Sequence, residues 1–171
     1  MKNLALNSSP EHYHQYINLV EDTDIKSMLE NGGIEPYLET VDILDNLGDK
    51  VYQVGKWTVK EMLQHLIDVE RLFMNRALRF LRTDPTPVPG FDHDKYVMVS
   101  RVDHLTVEEL LEEYQILRLS TVLFFKHLSD EELSRSGTAN GVSISLIAIA
   151  FILVGHPLHH FKVLEEKYFA L

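Results

Sequence analysis

Histidines supply the chemistry this sequence offers, and their spacing says what kind. The stretch Gly155–Leu164 reads GHPLHHFKVL and carries His156, His159 and His160 on what the pattern predicts to be the final helix. His156 and His160 are four residues apart, so on a helix they stand on one face about 5–6 Å apart and could close on one small cation. A third candidate, His65, lies in an earlier helical stretch, WTVKEMLQHLIDVERLF, Trp57–Phe73. His160 shares its stripe with Leu153, His156, Val163 and Leu164, and His65 falls in the row Met62, His65, Val69, Leu72. His159 falls on a stripe with Gly155, Lys162 and Glu166, nearer the rim.

Imidazoles on apolar faces are costly unless they are hydrogen-bonded or bind a metal. Two readings therefore stand side by side: three separately satisfied core histidines, or a divalent ion held between two helices by His65, His156 and His160. Peptidase chemistry of the HExxH type fits poorly, because Pro157 stands where that motif has its glutamate. Pro157 also deletes one helical hydrogen bond and predicts a kink between the two imidazoles.

Composition narrows the partners. The chain has 171 residues, is 45% hydrophobic, and carries a formal charge of −10. One domain spanning residues 1–171 with one buried core is expected. The negative field disfavours nucleic acid and anionic lipid. With no cysteine, disulfides and thiol nucleophiles are excluded, a metal must use His, Asp or Glu, and a reducing, cytoplasmic setting is compatible. The apolar run Leu146–Val154 is far short of a membrane span, and the N-terminus has too short an apolar run for a secretory signal.

The elements that must position the histidines are helical. Ser9 and Pro10 predict a helix start running to about Val20. A second piece ends at Glu30 before Asn31-Gly32-Gly33, and a further helix is expected over Glu35–Asn46. Thr58 with Glu61, and Thr106 with Glu109, form capping boxes at the starts of two long helices, the first ending near Thr83 and the second carrying Leu110 to Leu128. Between them, Thr83–His104 holds Pro85, Pro87, Pro89 and Gly90, a connection long enough for a lid, a binding loop or a crossover. Ser143 is the expected cap of the last helix, which runs to about Phe169. With no strand pattern, these elements predict an all-α four-helix bundle with a long crossover between helices 2 and 3 and a short additional N-terminal helix.

Three runs extend this reading. GKWTVKEMLQHLIDVERLFMNRALRF, PVPGFDHDKYV and GTANGVSISLIAIAFILVGHPLHHFKVLEEKY, in that order, resemble the DinB-like superfamily of metal-binding four-helix bundles. The resemblance covers about Tyr16 to Tyr168 and places the family's three histidines on His65, His156 and His160; Pro157 departs from the acidic or polar residue usual there. It implies a divalent ion, zinc or nickel, with open coordination positions. It also implies a metal-dependent transferase or hydrolase acting on a small molecule, with a low-molecular-weight thiol such as bacillithiol or mycothiol as one cosubstrate. The alternatives are a non-catalytic metal-binding stress or interaction module, or a bundle that no longer binds metal. A homodimer through a helix face is compatible with either class.

Other residues carry weaker signals. Asp68 could orient a ligand ring or be a surface acid. Glu61 could be a base, but capping already explains it. Asp92, His93 and Tyr96 could line a substrate mouth or anchor the connection. Arg76 is expected to pair with an acid of another helix and Arg79 to be solvated, while His12 and His14 are expected to be solvated.

Overall fold

A computed structural model describes residues 1–30 and 32–171. The stop predicted at Asn31 therefore lies outside the described residues. The chain folds as a four-helix bundle built on three long continuous helices: α6 (Val59–Leu81), α8 (Val107–Phe125) and α10 (Leu146–Lys167). The fourth side is composite. Short helices α3 (Ile25–Glu30), α4 (Glu35–Glu39) and α5 (Val41–Leu47) close it, with α3 packed on α8 and α10 and α5 on α8. The predicted Glu35–Asn46 helix breaks at Thr40, whose φ of −119° and ψ of 17° leave the helical region. Within it Leu44 and Leu47 are buried, whereas Ile43 is exposed.

The N-terminus also departs from expectation. Helix α1 (Lys2–Asn7) precedes Ser9 and Pro10. Pro10 is extended, and only a 3-10 turn and the short α2 (His14–Ile17) follow it. Both α1 and α2 pack on α10. The approach of α2 depends on a missing side chain: a Cβ at Gly155 would lie 2.0 Å from the Tyr16 carbonyl oxygen.

Both predicted capping boxes form, Thr58 accepting from the Glu61 N–H and Thr106 from that of Glu109. Each such cap stabilises its helix by about 1 kcal/mol. Ser129 and Glu132 form a third box that starts α9 (Asp130–Ser134). The long connection after α6 holds α7 (His93–Met98), capped by Asp92, and a 3-10 turn at Val102–His104. Leu78, near the C-terminal end of α6, is exposed.

A strand pair stands where none was expected. Strands β1 (Ser136–Ala139) and β2 (Val142–Ser145) pair antiparallel around Asn140 and Gly141, at φ 51° and 78°. Positive φ at both central residues suits Asn-Gly and matches the twist of the flanking strands. Ser145, not Ser143, caps α10, accepting from the Ala148 N–H. Val88 pairs with the end of β1 on both sides of Ala139, its N–H to the Thr138 carbonyl at 2.9 Å and its carbonyl to the Asn140 N–H at 2.9 Å. The hairpin thus pins the loop that leads to α7.

Two apolar clusters fill the interior. One gathers α1 to α3, the C-terminal half of α6, and Leu146–Val154 of α10. The other gathers α4, α5, the N-terminal halves of α6 and α8, and Phe161, Leu164 and Tyr168 of α10. Each long helix crosses from one cluster to the other, and the buried polar residues His65, Glu70, Arg118, Thr121 and His156 sit near the seam. Helix α10 has the length and apolarity of a membrane span, but 72% of its most apolar window is buried in the bundle, as befits a core helix.

Pro157 lies inside α10 without ending it. Its missing N–H would orphan the Leu153 carbonyl, four residues back. That carbonyl instead accepts from Arg118 Nη2 at 2.7 Å. Arg118 also bonds Glu70 through Nε at 2.9 Å and Nη2 at 2.7 Å, and the Gly32 carbonyl through Nη1 at 2.8 Å. Thr121 Oγ1 donates to Glu70 at 2.7 Å, and the Tyr37 hydroxyl donates to the Pro157 carbonyl at 2.8 Å. The side-chain network at the seam does the work of the lost backbone bond.

Candidate metal centre

Helix α6 brings His65 and helix α10 brings His156 and His160 to one point in the seam. His65 Nε2 lies 3.2 Å from His156 Nε2, and His160 Nε2 lies 3.1 Å from the same atom. The predicted kink does not part the pair. His65 and His156 are buried and His160 is partly buried. His159 stays partly exposed, its ring edge-on to Tyr16 at 5.3 Å.

Electrostatics keep these rings neutral. Burial, with His93 nearby, lowers His65 to about 3. Burial and then His65 lower His160 to about 3. Burial, followed by His160 and His65, pushes His156 well below the ordinary imidazole value. Neutral imidazoles keep the lone pairs that a metal requires.

Proton counting also favours a cation. In a neutral ring Nε2 either donates or accepts. His156 Nε2 faces two other Nε2 atoms, so either its single lone pair or its single proton is shared between both contacts, or one contact sets like against like. A cation satisfies all three lone pairs at once. The observed spacings are close to the roughly 3.3 Å expected between nitrogens about 2.0–2.1 Å from a shared tetrahedral ion. The three ligand atoms all lie within 4.8 Å of one another, so the donor set fits a divalent ion.

Aromatic side chains fix the imidazoles. The Trp57 ring lies 4.8 Å from that of His65 and stacks near-parallel to His160 at 6.3 Å. Tyr16 meets His156 edge-on at 5.2 Å, and His93 meets His65 at 5.1 Å. Two cavities reach the cluster. One, of about 240 Å³, opens beside His160 and is walled by Trp57, Lys56 and Asp94. The other, of about 280 Å³, opens beside His156 and is walled by Tyr16, Arg76, Phe91 and His93. Helix α7 contributes to both, through Asp94 and His93.

Three comparisons with known proteins bear on the family and the fold. The sequence profile of the DinB superfamily matches residues 35–164, a stretch that holds all three histidines. The chain belongs to the DinB superfamily. This DinB-superfamily chain is 30% identical over 126 residues to an Oceanobacillus iheyensis protein named "putative metal-dependent hydrolase", covering 71% of each. Its fold is similar to that of YfiT from Bacillus subtilis, described as a probable metal-dependent hydrolase with an unusual four-helix bundle topology. That match has a TM-score of 0.65 at 20% identity and covers 86% of this chain and 89% of that one.

The remaining candidates fall elsewhere. Asp68 accepts from Gln64 Nε2 at 3.0 Å, and burial raises its carboxyl. Glu61 is engaged in its capping box, accepting from the Thr58 N–H at 2.7 Å. Asp92 caps α7, and Tyr96 is 43% exposed. His12 is exposed as expected, whereas His14 is partly buried and its Nε2 lies 3.0 Å from the Leu6 carbonyl oxygen. Arg79 is not free in solvent but pairs with Asp84 at 2.8 Å. Arg76 is buried, yet among the described residues it pairs with no acid; its guanidinium stacks on Phe73 instead. Sequence reasoning missed Tyr16, for which no local signal exists, and the placement of Trp57, eight residues before His65.

Proposed function

We propose that this chain is a divalent-metal-dependent hydrolase of small molecules, with His65, His156 and His160 as the metal ligands. The observation that carries the reading is the convergence of three neutral Nε2 atoms beside two cavities. An all-imidazole set suits zinc or nickel. Such an ion, when bound, acts as a Lewis acid and lowers the pKa of coordinated water towards 7. Three protein ligands leave at least one position for water or substrate, as catalytic zinc sites do.

The chain's own residues supply the rest. Trp57, Tyr16 and His93 hold the rings in place and limit water around them. The cavity beside His156 admits a small substrate, and the separate opening beside His160 leaves room for a second molecule. That second opening favours a variant of the same reading, in which a low-molecular-weight thiol enters as cosubstrate and the reaction is a transfer.

Metal analysis of purified protein beside His65→Ala and His160→Ala tests the site. One divalent ion per chain is expected in the wild type and none in the variants, with helical content retained. Holo protein assayed on ester and amide panels, with and without cellular thiols, then separates hydrolase from transferase. Wild-type protein that takes up no zinc or nickel, or variants that keep the ion, would overturn the proposal.

A further inference from the structure

Two arginines are deeply buried in this bundle, and the chain treats them differently. Arg118 is 4% exposed and has Glu70 as its counterion. Arg76 is 3% exposed and, among the described residues, makes neither a hydrogen bond nor an ion pair. Its guanidinium lies over the Phe73 ring at 4.6 Å and over the Phe91 ring at 5.7 Å. Among the described residues no fully buried side-chain nitrogen lacks a partner. The unpaired Arg76 nitrogens are therefore the part of the residue that solvent still reaches, and they reach it through the cavity whose wall also holds His156.

A buried cation with no partner is expensive, and proteins seldom keep one without use. Of the acids flanking this loop, Asp84 pairs with Arg79, Asp92 pairs with Lys95 and caps α7, and Asp94 stands on the wall of the other cavity. The aromatic wall is itself built in. Phe91 is carried by the loop that Val88 pins to the β-hairpin, and Gly90 sits close against Asn140. Aromatic faces on the guanidinium favour the cation and leave its hydrogen-bonding edge for a planar acceptor.

We propose that Arg76 anchors a carboxylate of the substrate in the cavity beside His156. The ligand class is a small monocarboxylate, held by the guanidinium fork with the rest of the molecule directed at the histidine cluster. One guanidinium balances one negative charge, and a dianionic phosphate would bring a second into a chain of net charge −10. The orientation towards the histidines rests on the proposed function; the anion site itself does not.

The test separates the two. Metal-free protein is titrated with sodium benzoate, sodium acetate and inorganic phosphate, with sodium chloride at matched ionic strength, while the Arg76 Nε–Hε NMR signal and the melting temperature are followed. A saturable shift and a raised melting temperature with a carboxylate, and neither with chloride, are expected. Arg76→Lys should weaken carboxylate binding by about tenfold or more, since a point charge replaces a fork. Arg76→Met should abolish it and lower the melting temperature of ligand-free protein only slightly, because the contacts with Phe73 and Phe91 are weakened but no internal ion pair is lost. Tighter binding of phosphate overturns the carboxylate assignment. Undiminished binding in Arg76→Met, no saturable shift in the wild type, or a large loss of stability in Arg76→Met each overturns the anchor. Zinc content of Arg76→Met should match the wild type, and His65→Ala should lose zinc yet still bind benzoate, so failure of one proposal leaves the other standing.

Discussion

The coupling between Pro157 and Arg118 can be measured as an energy. In the wild type the Leu153 carbonyl has Arg118 Nη2 as donor at 2.7 Å because residue 157 has no N–H. Replacing Arg118 with Met removes that donor and leaves the Glu70 carboxylate, 1% exposed, with only Thr121. Breaking a buried pair in this way costs about 3–5 kcal/mol, and the orphaned carbonyl about 1–3 more. Against a total stability of about 5–15 kcal/mol, the single variant is too close to unfolding to serve as a reference. Glu70→Gln/Arg118→Met is the better background, since it removes the buried charge but still strands Leu153. In that background Pro157→Ala restores an N–H that can reach the carbonyl. It should therefore stabilise by about 1–2 kcal/mol more than the same change does in the wild type, where the acceptor is already served. Urea unfolding of metal-free protein, followed by circular dichroism, gives the four stabilities of the cycle without linkage to bound ion. Equal effects of Pro157→Ala in both backgrounds, within about 0.5 kcal/mol, would show that the arginine does not replace the lost helical bond.

Further outcomes follow from the same geometry. Metal-free protein should lose stability as pH falls below about 6.5, because unfolded histidine takes up a proton that His65 refuses until about 3; at pH 5.5 that residue alone costs about 1.4 kcal/mol, and a His65→Phe variant should show a shallower slope in urea midpoints. Zinc added to metal-free wild type should raise the melting temperature in calorimetry, and should fail to do so for His160→Ala. Gly155→Ala forces a methyl group to within 2.0 Å of the Tyr16 carbonyl oxygen; a loss of about 1–3 kcal/mol is expected, read by chemical denaturation, and an unchanged midpoint would mean that α2 does not rest on α10. Thr58→Ala should cost about 1 kcal/mol in the same assay.

What could be read from the sequence was what is local. The boxes at Thr58 and Thr106 involve side chains three residues apart, and the His156–His160 pair follows from one helical turn. The apolar row of His65 turns it to the core, but that it meets the other two was implied by the resemblance to the DinB-like superfamily and not by the periodicity. The same local logic was available at Ser129-Glu132 and at Asn140-Gly141. Four-residue strands flanking the latter give too short an alternation to announce themselves. Ser9-Pro10 carried the signal of a helix start, yet only short turns follow, because the packing of α2 against Gly155 sets the path there. Arg118 shares the inward row of Leu111, Tyr114 and Thr121, so its burial was legible, but its role was not. Its partners Glu70, Leu153 and Gly32 come from three distant segments.

Those distant partners explain how α10 keeps Pro157 within it: the carbonyl that the proline leaves without a helical donor is served from α8. The consequence reaches the centre itself. Leu153 lies one turn before His156, and the Tyr37 hydroxyl holds the carbonyl of Pro157, one residue after it. The backbone around His156 is thus held from two other segments, at the level where α10 passes between the two apolar clusters. Polar groups are tolerated at that level because they are paired, Glu70 with Arg118 and the imidazoles with one another or with a cation. Arg76 lacks such a pairing, and it faces the cavity that reaches the same histidine.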